Sequence, residues 1–282
     1  MSDSEAPAST TPLGLPLPPI IHATLNLDRP QEQRVIIIGD VHGCPEELEL
    51  LLAQCQFRQG TDAVVLVGDL VNKGLYHYEV VKLVQEIGAI TVRGNHDEIA
   101  LERYHSWKTT GTLDPKFGGY LQHFTAQDVA YFQNMPFSLS IPSHGVLVVH
   151  AGIVPERPLE QQLLSNLLNL RHVDKEDGKW KALPKLPRDA GQPWAHVYTG
   201  PKHVVFGHHA RRRLQMCKYA TGIDTGCVLG DDLTAMMLPS LEEMTQKGLC
   251  SPPKEPVTLE ACGGQLMSVK AKRVYRKDDA DD

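Results

Sequence analysis

The chain has 282 residues, enough for one large α/β domain or two small ones. Hydrophobic residues at 41% and charged residues at 22% describe an ordinary globular protein, which excludes an intrinsically disordered chain. A net charge of −6 gives no general attraction to nucleic acid or to an anionic membrane, and no apolar run approaches the roughly 20 residues of a membrane span.

Residues 1–32 carry Pro7, Pro12, Pro16, Pro18, Pro19 and Pro30 among Ser, Thr and Ala, and read as a disordered lead-in. They show neither a secretory nor a mitochondrial signal, so a cytoplasmic location is expected, with a nuclear one left open. One domain is expected over 33–276, followed by an acidic tail at 277–282. Val35-Ile36-Ile37-Ile38 suits a strand buried on both faces, and it stops at Gly39-Asp40-Val41-His42-Gly43. Pro45, Glu46 and Glu47 mark a helix start, and Leu48, Leu51, Leu52 and Cys55 continue it. Strand, polar turn, helix is the order in which α/β proteins set chemistry at the carboxyl ends of strands.

The pattern then repeats. Ala63–Val67 runs into Gly68-Asp69-Leu70-Val71-Asn72-Lys73-Gly74, ahead of a helix marked by Val80, Val81, Val84 and Ile87 and ended by Gly88. Ala89–Val92 runs into Arg93-Gly94-Asn95-His96-Asp97, with helical spacing from Glu98 to Trp107. Thr125 opens a further helix. Phe137–Ile141 and Val146–Val149 read as a hairpin whose second strand ends at His150-Ala151-Gly152. Pro158–Leu170 reads as a helix leading to Arg171, and 174–193 as a surface loop. His203–Phe206 ends at Gly207-His208-His209. Leu214–Ala220, Leu233–Leu238 and Leu266–Tyr275 are expected strands, with a tight turn at Thr221–Gly226 and no clear pattern over Pro239–Gly264.

Five apolar runs therefore each end in Asp, Asn or His beside glycine. If those strands share one sheet system, Asp40, His42, Asp69, Asn95, His150 and His208 converge as metal ligands. A phosphate ester or anhydride resists attack because its oxygens repel a nucleophile. Two metal ions about 3.5–4 Å apart overcome this by creating hydroxide and neutralising those oxygens. Asp69 reads as the bridge, with Asp40 and His42 on one ion and Asn95, His150 and His208 on the other. Nitrogen and oxygen donors without a thiolate favour Mn²⁺, with Fe, Zn²⁺ or Mg²⁺ as alternatives. His209 is the alternative to His208.

His96, beside Asn95, is the candidate general acid, and Asp97 the neighbour that would hold its ring and raise its pKa. Lys73 and Arg171 are candidates for gripping phosphate oxygens. Arg93 is expected in a structural ion pair. Arg211-Arg212-Arg213 reads either as an attractor for a polyanion or as a solvated loop. Six scattered cysteines, none in a Cys-x-x-Cys pair, suit free thiols in a reducing compartment. Cys44 reads as a helix-start residue.

Gly39-Asp40-x-His42-Gly43, Gly68-Asp69-x-x-Asn72-Lys73-Gly74, Gly94-Asn95-His96-Asp97, His150-Ala151-Gly152 and Gly207-His208 resemble the five motifs of the phosphoprotein phosphatase superfamily of calcineurin-like metallophosphoesterases. The resemblance runs from about Arg34 to Leu238. It implies a four-layer α/β (α+β) fold with a central β-sandwich flanked by helices, two metals, and attack by metal-bound hydroxide. Protein Ser/Thr phosphatases carry Asp-Arg-Gly where this chain has Asn72-Lys73-Gly74. In that group the Asp orients the acid histidine and the Arg grips phosphate. Here Asn72 would accept from His96 without a charge. The variant is similar to the ApaH-like branch, as are Val205–Ala210 and Thr221–Cys227.

That branch implies a nucleotide polyphosphate substrate, of the bis(5′-nucleosyl)-tetraphosphatase type. Polyphosphate and mRNA caps are alternatives, the cap being the one case that brings in nucleic acid. A protein Ser/Thr phosphatase and a silent phosphate-binding scaffold are the rival readings.

Overall fold

The structure, a computed structural model, describes residues 9–114, 118–183 and 191–276. One sheet runs in the order β14 (Gln265–Lys270), β13 (Asp232–Leu238), β2 (Val35–Ile38), β3 (Ala63–Leu66), β4 (Ile90–Thr91). In it β2, β3 and β4 are parallel, with Ile36 opposite Val64 and Leu66 opposite Thr91. The second sheet runs β1 (His22–Thr24), β5 (Ser138–Ile141), β6 (Val146–Val149), β10 (His203–Phe206), β12 (Ala220–Gly222), β11 (Gln215–Met216). Here β6, β10 and β12 are parallel, and β5 and β6 form the expected antiparallel hairpin.

Side-chain alternation along β2 shows how the layers form. Val35 and Ile37 join Val65, Val146, Val148 and Val205 in a core between the two sheets. Ile36 and Ile38 point the other way, into a core with α1 (Pro45–Gln54), α2 (His77–Glu86), α3 (Asn95–Thr110) and α4 (Ala126–Gln133). On the far side, Leu147, Val149, Val204 and Phe206 pack against α5 (Leu164–Asn169) and α6 (Trp194–Val197). The result is helix, sheet, sheet, helix: the four-layer α/β arrangement. A strand that is apolar on both faces is what such a sandwich requires. The buried Arg93–Glu98 pair, at 3.0 Å, fixes the start of α3 as the sequence suggests.

Several segments depart from the sequence reading. The lead-in is ordered from residue 9: β1 pairs in parallel with β5, Leu15 is buried, and Ala23, Leu25 and Leu27 pack on the inter-sheet core. Apolar residues spaced between prolines give that segment enough surface to dock. Residues 1–8 and the acidic tail at 277–282 lie outside the described residues.

The expected loop at 174–193 is instead a small antiparallel sheet of β7 (His172–Glu176), β8 (Lys179–Ala182) and β9 (Gln192–Pro193), with 184–190 outside the described residues. Its turn is Asp177-Gly178, both at positive φ (50° and 76°), the dipeptide that two-residue hairpins favour. The helix expected over 158–170 is shortened to α5. Before it, Gln162 spends its side chain on the backbone of Val154, at 2.9 Å to both N–H and C=O. The unpatterned stretch holds α7 (Leu241–Gln246), opened by a Ser240/Glu243 capping box. β14 stops at Lys270, short of Tyr275, because Tyr275 and Arg276 turn their N–H groups to the Val228 carbonyl.

Candidate metal centre and phosphate cleft

The carboxyl ends of β2, β3 and β4 meet those of β6 and β10, and bring the six sequence-predicted ligands to one place. Two of the glycines are needed for that approach. A Cβ on Gly94 would overlap Asp69 Oδ1, and one on Gly207 would overlap Asp40 Oδ1. Asp69, at φ 56°, sits at the centre: its Oδ2 is 3.3 Å from His42 Nε2 and its Oδ1 is 3.4 Å from His150 Nε2. Asn95 Oδ1 lies 2.9 Å from both His150 Nε2 and His208 Nδ1. Ligand atoms of His42, Asp69 and His96 form one close group, and those of Asp69, His150 and His208 another.

Asp40 lies outside both groups, and its two oxygens accept from the His208 N–H at 3.2 and 3.1 Å. His209 also lines the adjoining cleft but is turned toward His172, rings 6.2 Å apart, and it is His208 that joins Asp69 and His150.

This donor set fits divalent cations. Nδ1 of His42 faces the Val71 carbonyl at 2.9 Å and Nδ1 of His150 faces that of Val67 at 2.8 Å, so each Nδ1 donates and each Nε2 keeps its lone pair. Burial holds both imidazoles neutral, His150 at about 4 and His42 well below its ordinary value, with Lys73 adding to the latter. Burial, then repulsion from Asp224 and Asp69, raises Asp40 well above the usual carboxylate range. Buried carboxylates crowded together call for positive charge between them.

His96 and Asp97 do not make the predicted dyad. Asp97 Oδ2 accepts from the N–H groups of Asp69 and Gly94 at 2.8 and 3.0 Å, and Oδ1 from that of Leu70 at 2.9 Å. The carboxylate thus closes the start of α3 onto the Asp69 turn, away from the imidazole. Burial first, then the charge of Lys73, lowers the His96 pKa, the opposite of the direction expected from an acidic neighbour. Asn72 also acts otherwise than expected. Its Nδ2 donates to the backbone carbonyl of His96 at 3.0 Å, while its Oδ1 accepts from the Tyr120 hydroxyl.

Beside the metal groups lies an open cleft lined by, among others, His42, His208, Lys73, Arg171, Arg211 and Arg276. Lys73 and Arg171 thus line one cleft, and Arg211 faces the same space. Asp224, Tyr120 and Arg276 were missed. Asp224 carried a signal, since it follows the β12 strand as the candidate ligands follow theirs, and its charge lies near Asp40. Tyr120 lies in a short 3₁₀ turn and Arg276 in an irregular stretch, and neither has a local pattern. Among the described residues, no helix is long and apolar enough to cross a membrane.

Residues 33–224 match the sequence model of the calcineurin-like phosphoesterase family. The chain is 29% identical to an asymmetrical bis(5′-nucleosyl)-tetraphosphatase of Oceanobacillus iheyensis, over 74% of its own length and 90% of the relative's. It is 28% identical to serine/threonine-protein phosphatase 1 of Salmonella typhimurium, over 72% and 90%. A crystal structure provisionally described as a diadenosine tetraphosphatase superposes with a TM-score of 0.72 and 34% identity, covering 89% of this chain and 98% of that one.

Proposed function

The chain belongs to the calcineurin-like phosphoesterase family, and from that premise we propose that it hydrolyses phosphoanhydrides of nucleotide polyphosphates of the dinucleoside tetraphosphate type. The observation that carries this reading is one cleft in which Lys73, Arg171, Arg211 and Arg276 stand beside the metal groups. A phosphomonoester presents one doubly charged group, whereas a tetraphosphate chain presents several charges in a row and engages cations at several points. Divalent metals, when bound, supply an activated water and neutralise phosphoryl oxygens. Asp69, His42, Asn95, His150 and His208 would hold two of them, with Asp40 completing the set, and Mn²⁺ is the ion this donor mix favours.

The chain's own part is positioning and proton transfer. Lys73 and Arg171 hold the phosphate under attack, and Arg211 and Arg276 receive the phosphates beyond it. His96 gives a proton to the leaving oxygen. Burial first, with Lys73 and Arg276 adding to it, keeps His96 deprotonated, and a bound polyphosphate would offset the part owed to those two cations. The free thiols suit a reducing cytoplasm, and those of Cys44 and Cys227 lie together without forming a disulfide.

The Salmonella relative's name favours a second reading, a protein Ser/Thr phosphatase. The test is a Mn²⁺-supplemented panel of diadenosine tetraphosphate, inorganic polyphosphate, capped RNA and a phosphopeptide. The expected result is the highest kcat/KM on the dinucleotide. A phosphopeptide preference would overturn the proposal, and no turnover of any of the four would favour a silent scaffold.

A further inference from the structure

His96 is the second residue of α3, and its peptide group is held at both ends. Its N–H donates to Asp69 Oδ1 at 2.9 Å, and its carbonyl accepts from Asn72 Nδ2 at 3.0 Å. The other end of the Asn72 amide, Oδ1, accepts from the Tyr120 hydroxyl at 3.0 Å. These two bonds orient the amide uniquely: a carbonyl needs a donor, so nitrogen faces His96 and oxygen faces Tyr120. Tyr120 is seated by its ring, 4.4 Å from that of His77 and 5.6 Å from that of Phe124. Asn72 is buried at φ 66°, a left-handed conformation that asparagine accepts more readily than most residues.

We propose that Tyr120 and Asn72 are positioning residues for His96, fixing its backbone so that the imidazole reaches the leaving oxygen without a carboxylate partner. The inference rests on the reading of His96 as the proton donor. A carboxylate at position 72 could still satisfy Tyr120, but its second oxygen would lie against the His96 carbonyl, acceptor to acceptor. Asparagine is therefore the residue this geometry requires, and an aspartate here would work against the acid.

The test is a double-mutant cycle of Tyr120→Phe with His96→Asn, assayed on diadenosine tetraphosphate and on p-nitrophenyl phosphate. Alone, Tyr120→Phe should lower kcat on the dinucleotide by about three- to tenfold, the span of one neutral hydrogen bond. KM and metal content should not move. The loss should be smaller on p-nitrophenyl phosphate, whose leaving group needs no proton. In the His96→Asn background, Tyr120→Phe should slow turnover no further. An undiminished loss in that background would overturn the proposal, because Tyr120 would then act elsewhere.

The reading of His96 fails separately, if His96→Asn costs the same factor on both substrates. Asn72→Asp is the second variant, since it keeps the Tyr120 bond and guards against a folding defect in Tyr120→Phe. It should lose kcat while its metal content stays at the wild-type level, and a gain in kcat would overturn the proposal.

Discussion

Replacing Asp97 by asparagine separates two roles for that residue. A carboxylate holding the His96 ring would, on neutralisation, cost proton transfer and leave metal binding alone. The structure gives Asp97 three backbone N–H groups instead, from Asp69, Leu70 and Gly94 at 2.8, 2.9 and 3.0 Å. An amide has one acceptor oxygen. Kept on the side shared by Asp69 and Gly94, it leaves its NH₂ facing the Leu70 N–H. One charge-assisted bond is then lost and two fall to neutral strength, about 3–5 kcal/mol together.

Against this stands the cost of the buried charge. Burial, with the nearby Asp69 charge, raises the Asp97 carboxyl to about 6, so ionising it in the folded chain costs roughly 3 kcal/mol at neutral pH. That cost appears as pH rises from about 4 to about 6, and the asparagine variant escapes it. The value of about 6 already includes the bonds from Gly94 and Asp69, so at neutral pH the variant should unfold in urea no more easily than wild type. The aim of Asp69 is not rescued by that stability. Metal affinity should fall about 10–100-fold, the usual cost of losing a residue that orients a ligand. Isothermal titration with Mn²⁺ and urea unfolding are the assays. Unchanged Mn²⁺ affinity with a selective loss on poor leaving groups would refute this account and restore the dyad.

Arg276→Gln should lower kcat/KM on diadenosine tetraphosphate about tenfold, as for one charge-assisted contact, and change p-nitrophenyl phosphate hydrolysis little. Equal losses on both would remove Arg276 from the distal phosphates. Asp62 is bound by Arg34 at 2.6 Å and Arg58 at 2.7 Å. Burial alone would raise its carboxyl, but those guanidinium bonds outweigh burial and hold it at about 2. A depressed carboxylate stabilises the fold above about pH 4 and loses that contribution as pH falls through about 2. Asp62→Asn should therefore cost about 1–2 kcal/mol at pH 7, allowing for the half-exposed Arg58, and almost nothing near pH 2. A cost that does not change with pH would show that the ion pair is not its source.

The candidate ligands were legible because each is written the same way. An apolar strand buried on both faces is visible in one dimension, and the polar residue at its carboxyl end is conspicuous beside glycine. Asp40, Asp69, Asn95, His150 and His208 are all of this kind, and Asp224 would have been found by the same rule. The β7–β8 hairpin was also legible, in Asp177-Gly178, but four lysines and three prolines over 174–193 made the stretch look solvated. Orientation was not legible. Sequence proximity put Asp97 on His96, whereas at the third position of α3 a carboxylate meets the free N–H groups of the helix start before it meets a side chain one residue away. Asn72 looked like a neutral aspartate until the His96 carbonyl, which no pattern announces, fixed which way its amide turns.

Charge shows the same limit from the other side. The chain as a whole carries −6, which argues against any general hold on polyanions. Its cleft nevertheless collects Lys73 from the Asp69 turn, Arg171 from the link between α5 and β7, Arg211 from the turn after β10, and Arg276 from beyond β14. These four come from segments more than 200 residues apart at the extremes, so no window of sequence reveals them together. The acidic remainder has a physical consequence. A polyanion is repelled by most of the surface and drawn only to the one opening where cations line a low-dielectric wall. If the proposed function holds, selectivity for a multiply charged phosphate chain would come from the contrast between cleft and surroundings. It should weaken as salt screens both over about 8–10 Å at ordinary ionic strength.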